Sequence, residues 1–339
     1  MIGRRALLAA AVALLAVGGG AAALLSGGGH PPAASQPAAG PGSGCPPYPA
    51  FPDETCTGWR HTGVALRAVP GSLTQGSGWH WQRGAVVVDK RGAVLDGLDI
   101  AGCVRVVADD VTLRRSRVSC RDYYLVKTVD PPRHFTGLLV EDVELDGMGA
   151  LNGSTGIAFD SYTARRVDAH GLSSLAFKMG SHTVVEDSYV HDFACGRQDG
   201  VITNDLLHQA GIGTNGAAAD MVIRHNTVDL GRAGAACLSG AIANYQDFGT
   251  FDRLVIDRNS IDAAGGYCLK AGVRQPGHPD ATGVRVTDNV FGRDYSAGCG
   301  SYGPVSNWGP GPRNVWSGNT WGGGAAATDE HAVGDPVTP

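Results

Sequence analysis

One phrase recurs along this chain, and its spacing removes most folds from consideration. It is clearest as MVIRHNTVDLG at Met221–Gly231, and it returns as LVIDRNSIDAAG from Leu254, VRVTDNVFGRDY from Val284 and NVWSGNTWGG from Asn314. Looser copies stand upstream: AVLDGLDIAG from Ala93, VTLRRSRVSC from Val111, LLVEDVELDG from Leu138, YTARRVDAHG from Tyr162 and TVVEDSYVHD from Thr183. Aligned on the residue three before the Asn, the nine copies fall at Leu95, Leu113, Val140, Ala164, Val185, Ile223, Ile256, Val286 and Trp316, between 18 and 38 residues apart.

Repeats of this length mean a solenoid, a propeller or an array. Each copy alternates apolar and polar residues and closes on Gly, Asp or Asn, the pattern of a short strand ended by a turn. That period of two excludes a helical repeat, and the shortest spacing of 18 residues is too small for a four-stranded propeller blade of about 40. The expectation is an all-β chain folded as a parallel β-helix of about nine or ten coils with end caps, one coil per repeat. Asn226, Asn259, Asn289 and Asn319 share one repeat position. In a β-helix they stack roughly 4.8 Å apart, each amide bonding the next coil's backbone at a bend.

Composition agrees with an elongated fold of many turns: 51 glycines and only 7% aromatic residues suit a core of small aliphatic side chains. A net charge of −5 offers no basic footprint, so nucleic acid is not an expected partner. Residues 1–25 begin with Arg4 and Arg5 and continue as an uncharged apolar run, which reads as a signal peptide for secretion. The run is also long enough to serve as an uncleaved membrane anchor on the outer face of the cell. Residues 26–49 are a Gly/Pro/Ala/Ser-rich tether, 50–323 the β-helix with its N-terminal cap, and 324–339 a disordered tail. A monomer is expected.

All eight cysteines lie beyond the export segment, and an even count in an exported chain implies disulfides. Chain neighbours and coil spacing suggest Cys45–Cys56, Cys103–Cys120, Cys195–Cys237 and Cys268–Cys299. No Cys-x-x-Cys occurs, which argues against a structural metal. The six tryptophans gather near the two ends of the repeat region, where a solenoid's open apolar ends need covering. Phe51–Gly71, carrying Trp59, and Gly76–Arg83, carrying Trp79 and Trp81, are assigned to the N-terminal cap.

Several stretches also resemble a family: AVLDGLDIAGCVRVVADDVTLRRSRVSC at Ala93–Cys120, YTARRVDAHG at Tyr162–Gly171, GSHTVVEDSYVHD at Gly180–Asp192, MVIRHNTVD at Met221–Asp229, and the DFG at Asp247–Gly249. From Gly92 to Gly323 the chain resembles the secreted right-handed parallel β-helix repeat proteins of high-GC Gram-positive bacteria, relatives in fold of pectate lyases and other polysaccharide-active enzymes. The resemblance implies a right-handed helix, secretion and an extracellular polysaccharide as partner. In that family the coil before the RHNT phrase usually reads His-Asn-Asp-Gly-Ile-Gln, whereas here it reads His208-Gln209-Ala210-Gly211-Ile212-Gly213. His208 is kept and the acidic residue is gone. Upstream, Gln198-Asp199-Gly200-Val201-Ile202 offers Asp199 as a replacement carboxylate.

Candidate chemistry follows from the strands that precede each phrase. Aligned on Ile157, Phe177, Ile212, Ile242 and Leu269, the next residues are Ala158, Lys178, Gly213, Ala243 and Lys270. Side chains alternate across a strand, so these form one outward column, followed by a second of Asp160, Gly180, Asn215, Tyr245 and Gly272. The two lysines then stand three coils apart, roughly 14 Å, over a low floor. Such a groove suits β-elimination of a uronate-containing glycan. A base removes the proton beside the carboxylate, an acid protonates the leaving oxygen, and a cation neutralises the charge. Lys178 or His208 is the candidate base and Tyr245 the acid, with Asp199 as a further catalytic carboxylate. Lys270, Asn215 and Asp160 are candidates for sugar contact, and a Ca²⁺ held by Asp160 and Asp199 is an alternative neutraliser. Two other classes compete: a glycoside hydrolase using paired carboxylates among Asp160, Asp199, Asp205 and Asp220, and a non-catalytic glycan-binding or adhesive surface. Lysines and aspartates on an exposed sheet also serve simply to keep it soluble.

Overall fold

In the computed structural model, which describes residues 44–130, 133–196, 209–231, 235–328 and 330–339, the nine aligned residues form a single column. Leu95 stands beside Leu113, Leu113 beside Val140, and so on through Ala164, Val185, Ile223, Ile256, Val286 and Trp316, always parallel and in register. The first eight are buried and Trp316 packs against them. Residues 1–43, which hold the stretch read from sequence as a signal peptide and most of the expected tether, lie outside the described residues, as do Asp199, Asp205 and His208.

Two positions after this column every coil turns. Gly97, Arg115, Asp142, Arg166, Asp187, His225, Arg258, Asp288 and Gly318 all have φ between 46° and 67°. Seven of the nine carry a side chain, at a cost of about 1–2 kcal/mol each in that backbone region. Hydrogen bonds from the following residue offset it. The Asn259 Oδ1 accepts from the backbone and side-chain amides of Asn226, both at 3.0 Å. Asn289 accepts in the same way from Asn259, and Asn319 from Asn289. Each Nδ2 also donates to a carbonyl one coil back, as Asn259 does to Ile223 at 3.1 Å. The expected ladder is therefore present, and it runs further upstream than the asparagines. Asn226 Oδ1 takes the Ser188 amide, Ser188 Oγ the Val167 amide, and Ser116 Oγ the Leu98 amide.

The bend divides a 17-stranded sheet into two arms, and an 11-stranded sheet supplies the third face. In the 11-stranded sheet Val104, Val126, Ile157, Phe177, Ile212, Ile242 and Leu269 are parallel neighbours in register and almost wholly buried. Inward residues of all three faces fill the interior with columns of Val, Ile, Leu and Ala, relieved by Phe177, Phe251 and Phe291. The chain is an all-β parallel β-helix. No helix among the described residues is long and apolar enough to cross a membrane. Four disulfides join the pairs expected from spacing, Cys45–Cys56, Cys103–Cys120, Cys195–Cys237 and Cys268–Cys299, which fits an oxidising environment.

The two ends are built differently. At the N-terminal end Trp79–Gln82 runs antiparallel to Ala85–Val88, and Trp79 is buried. Arg67–Val69 lies on Leu98–Ile100. The earlier part of the segment assigned to this cap runs along the flank of the helix instead. The Ala50 carbonyl faces His225 at 2.9 Å, the Pro52 carbonyl accepts from Thr227, the Gly58 amide donates to Arg166, and Trp59 donates to Glu144 at 2.8 Å. The bend column there is charged, so it draws polar partners rather than an apolar lid. At the C-terminal end the expectation of a disordered tail is corrected. Trp321 exchanges backbone hydrogen bonds with Gly334 and Asp335, Val337 donates to Asn319, and Val337 is buried. An uncovered last coil would leave Trp316 and Trp321 in water, and this segment covers them.

Candidate functional site

Lys178 ends the strand Leu175–Lys178, in which Phe177 points into the core and Lys178, by alternation, points out. Its neighbour in register on the next coil is Gly213, and Ala243 on the coil after that is paired with Lys270. A Cβ on Gly213 would run into the Ala243 carbonyl, so this position of the floor admits nothing larger than glycine. The outward column expected from sequence is thus present, with its two lysines at the ends of a low floor.

A groove of about 500 Å³ lies over that floor, and Lys178, Asn215, Tyr245 and Lys270 all line it. Lys270 Nζ stands 5.1 Å from the centre of the Tyr245 ring, and Lys178 Nζ 5.7 Å from that of Phe159, distances at which a cation is attracted by the ring face. Burial pushes the Lys178 pKa down from its usual 10.5, opposed by the carboxylate of Asp247. Asp247 also lines the groove and is held by Asn215 Nδ2 at 3.1 Å and Gln275 Nε2 at 3.3 Å. Asn215 therefore orients a carboxylate, a task its sequence position did not foretell.

Asp160 lies in a smaller adjoining recess of about 150 Å³ that shares Lys178 and Asn215 with the main groove. Its carboxylate fills the space that a side chain on Gly180 would need, and faces His134 Nδ1 at 3.2 Å. His134 arrives on a short antiparallel pair, Val129–Asp130 with Arg133–His134. Asp220 is turned elsewhere, with Arg253 Nε at 2.6 Å. Asp199, Asp205 and His208 cannot be placed, since they lie outside the described residues. Among the described residues, the cluster of three ligand-type side chains is Asp262 with Cys268 and Cys299. Both cysteines are joined in a disulfide and offer no thiolate.

Sequence reasoning missed Arg105, Lys127, Asp247 and His134. The first two continue the outward column upstream, since Val104 and Val126 occupy the position of Ile157 and Phe177. Extending the same alignment two coils towards the N-terminus would have found them. Asp247 and His134 lie on turns and a hairpin, where no periodicity points to a groove.

Fold and groove together define a disulfide-bonded parallel β-helix with a lysine-lined cleft on one sheet. No protein-family model matches the chain, and no curated protein matches its sequence. Among solved structures, the A-module of the mannuronan C-5 epimerase AlgE4 of Azotobacter vinelandii aligns over 72% of this chain and 78% of its own, at 12% identity and a TM-score of 0.26. At so low a TM-score, the fold rests on the strand registers described above.

Proposed function

We propose that this chain is an exported protein whose groove binds an acidic polysaccharide and cleaves it by β-elimination. The observation that supports this most is the meeting, in one groove, of a half-buried lysine with lowered proton affinity, a tyrosine and a second lysine. Elimination needs a base that is neutral when it acts, and burial favours the neutral amine of Lys178. In the proposed step Lys178 takes the proton on the carbon beside the uronate carboxylate. A carbon–carbon double bond forms as the glycosidic carbon–oxygen bond breaks, and Tyr245 gives its proton to the departing oxygen. No water is consumed. Lys270 faces the substrate carboxylate, where its charge stabilises the enolate-like state that develops. Asn215 keeps Asp247 in place at the groove wall. The four disulfides agree with a working place outside the cell.

The test is incubation of purified protein with a panel of uronate polymers, with and without Ca²⁺, while the ultraviolet absorbance of the unsaturated uronate is followed. A rise that disappears in Lys178→Ala and falls strongly in Tyr245→Phe is the expected result. Reducing ends without that absorbance would replace elimination by hydrolysis. Binding with no product at all would leave a glycan-binding surface.

A further inference from the structure

The groove does not stop at Lys178. Two strand spacings towards the N-terminus, past Ala158, the same outward column presents Lys127, and one further it presents Arg105. Around them lies another recess of about 320 Å³, walled by Arg105, Lys127, Asp122, Tyr123 and Tyr124. Tyr123 lines both this recess and the main groove, so the two adjoin.

We propose that the recess around Lys127 and Tyr124 is a distal subsite that binds a further anionic sugar of the same polysaccharide chain, about 10 Å from Lys178 along the helix axis. The proposal rests on the acidic-polysaccharide reading of the groove and adds to it a direction and a minimum length of substrate. Lys127 Nζ stands 5.7 Å from the centre of the Tyr124 ring, so a cation over an aromatic face occurs here as it does at Lys178 and Lys270. The Tyr123 and Tyr124 rings meet edge to face at 4.6 Å, which steadies Tyr123, itself 42% exposed, as a platform for a sugar ring. Burial raises the Tyr124 hydroxyl to about 12, so it stays protonated and can donate to a sugar oxygen. The acidic member of the recess, Asp122, has Oδ1 engaged by the Tyr123 backbone amide at 2.7 Å.

A sugar chain reaching from Lys270 to Lys127 crosses five strand spacings, roughly 24 Å. Binding should therefore strengthen with oligomer length until the chain spans both ends. The experiment measures equilibrium binding of a ladder of uronate oligomers of increasing length to the full protein carrying Lys178→Ala, which prevents turnover, with and without Lys127→Ala and Lys127→Arg. The expected result is a plateau reached at shorter length in Lys127→Ala, with affinity for the longest oligomers roughly tenfold weaker and restored by Lys127→Arg. Superimposable thermal melts for the variants would confirm that folding is not the cause. If long oligomers bind but Lys127→Ala follows its parent at every length, the subsite is overturned and the groove's function stands. If the parent binds no acidic oligomer, the function fails and the subsite with it.

Discussion

At the scale of the residue, Lys178 shows how position makes chemistry. Phe159 and the groove walls strip part of its hydration. Its activity as a base should rise with pH as the amine loses its proton, with the midpoint of that limb below the ordinary 10.5. Lys178→Ala should lower turnover by roughly 10²–10⁴-fold and abolish that limb. Asp262 is a second residue set by its surroundings. It is buried, its Oδ1 has no hydrogen-bond partner, and burial with the nearby charges of Asp294 and Asp229 raises its pKa from 3.8 to about 6. The folded state thus holds this proton more tightly than the unfolded one. Its stabilising effect is complete below 3.8 and is lost as pH rises through about 6, a difference of about 3 kcal/mol. Asp262→Asn should therefore raise stability at neutral pH by about 2 kcal/mol and flatten this part of the profile, as measured by denaturant unfolding across pH. Lys178 was legible in the sequence because Phe177 beside it fixed the strand's phase. Asp262 was not, because nothing local to Ser260–Asp262 says that Asp294 will approach it from another turn.

At the scale of the element, the asparagine ladder carries most of what the sequence made readable. Four residues at one repeat position announced both the bend and the stacking, and their hydrogen bonds follow that pattern. Asn259→Ala would leave the buried Asn226 backbone amide without its acceptor and would remove the side-chain hydrogen bonds that join Asn259 to the Asn226 amide, the Ile223 carbonyl and Asn289 Oδ1. It should cost on the order of 3–5 kcal/mol, read as a shifted denaturant midpoint. The flank segment was less readable. Phe51–Gly71 is rich in polar residues with no repeat phase, so its path along the charged bends could not be inferred from periodicity. His225 ties it down, facing Asp187 at 2.6 Å and the Ala50 carbonyl at 2.9 Å. The hydrogen bond to Asp187 raises the His225 pKa above 6.5. This contribution to stability is complete below 6.5 and fades as pH climbs through the higher folded value. Proteolysis near Ala50 should accordingly quicken at alkaline pH, and His225→Gln should remove that pH dependence.

At the scale of the whole molecule, stability is distributed along a line, because each coil touches only its neighbours. Covalent links between coils then matter more than in a round domain. Cys195–Cys237 closes the longest loop, 42 residues, and replacing both cysteines by Ala should cost about 2–4 kcal/mol, visible as a lowered midpoint in denaturant. A solenoid also has two termini of its sheet at which backbone groups look for partners. Here the last rung bridges an antiparallel segment at Thr320 and Pro336, and proline has no amide hydrogen to offer a further strand. The fold-back over Trp321 therefore occupies the open edge of the last rung in the 17-stranded sheet, and a strand from another molecule could pair there only by displacing it.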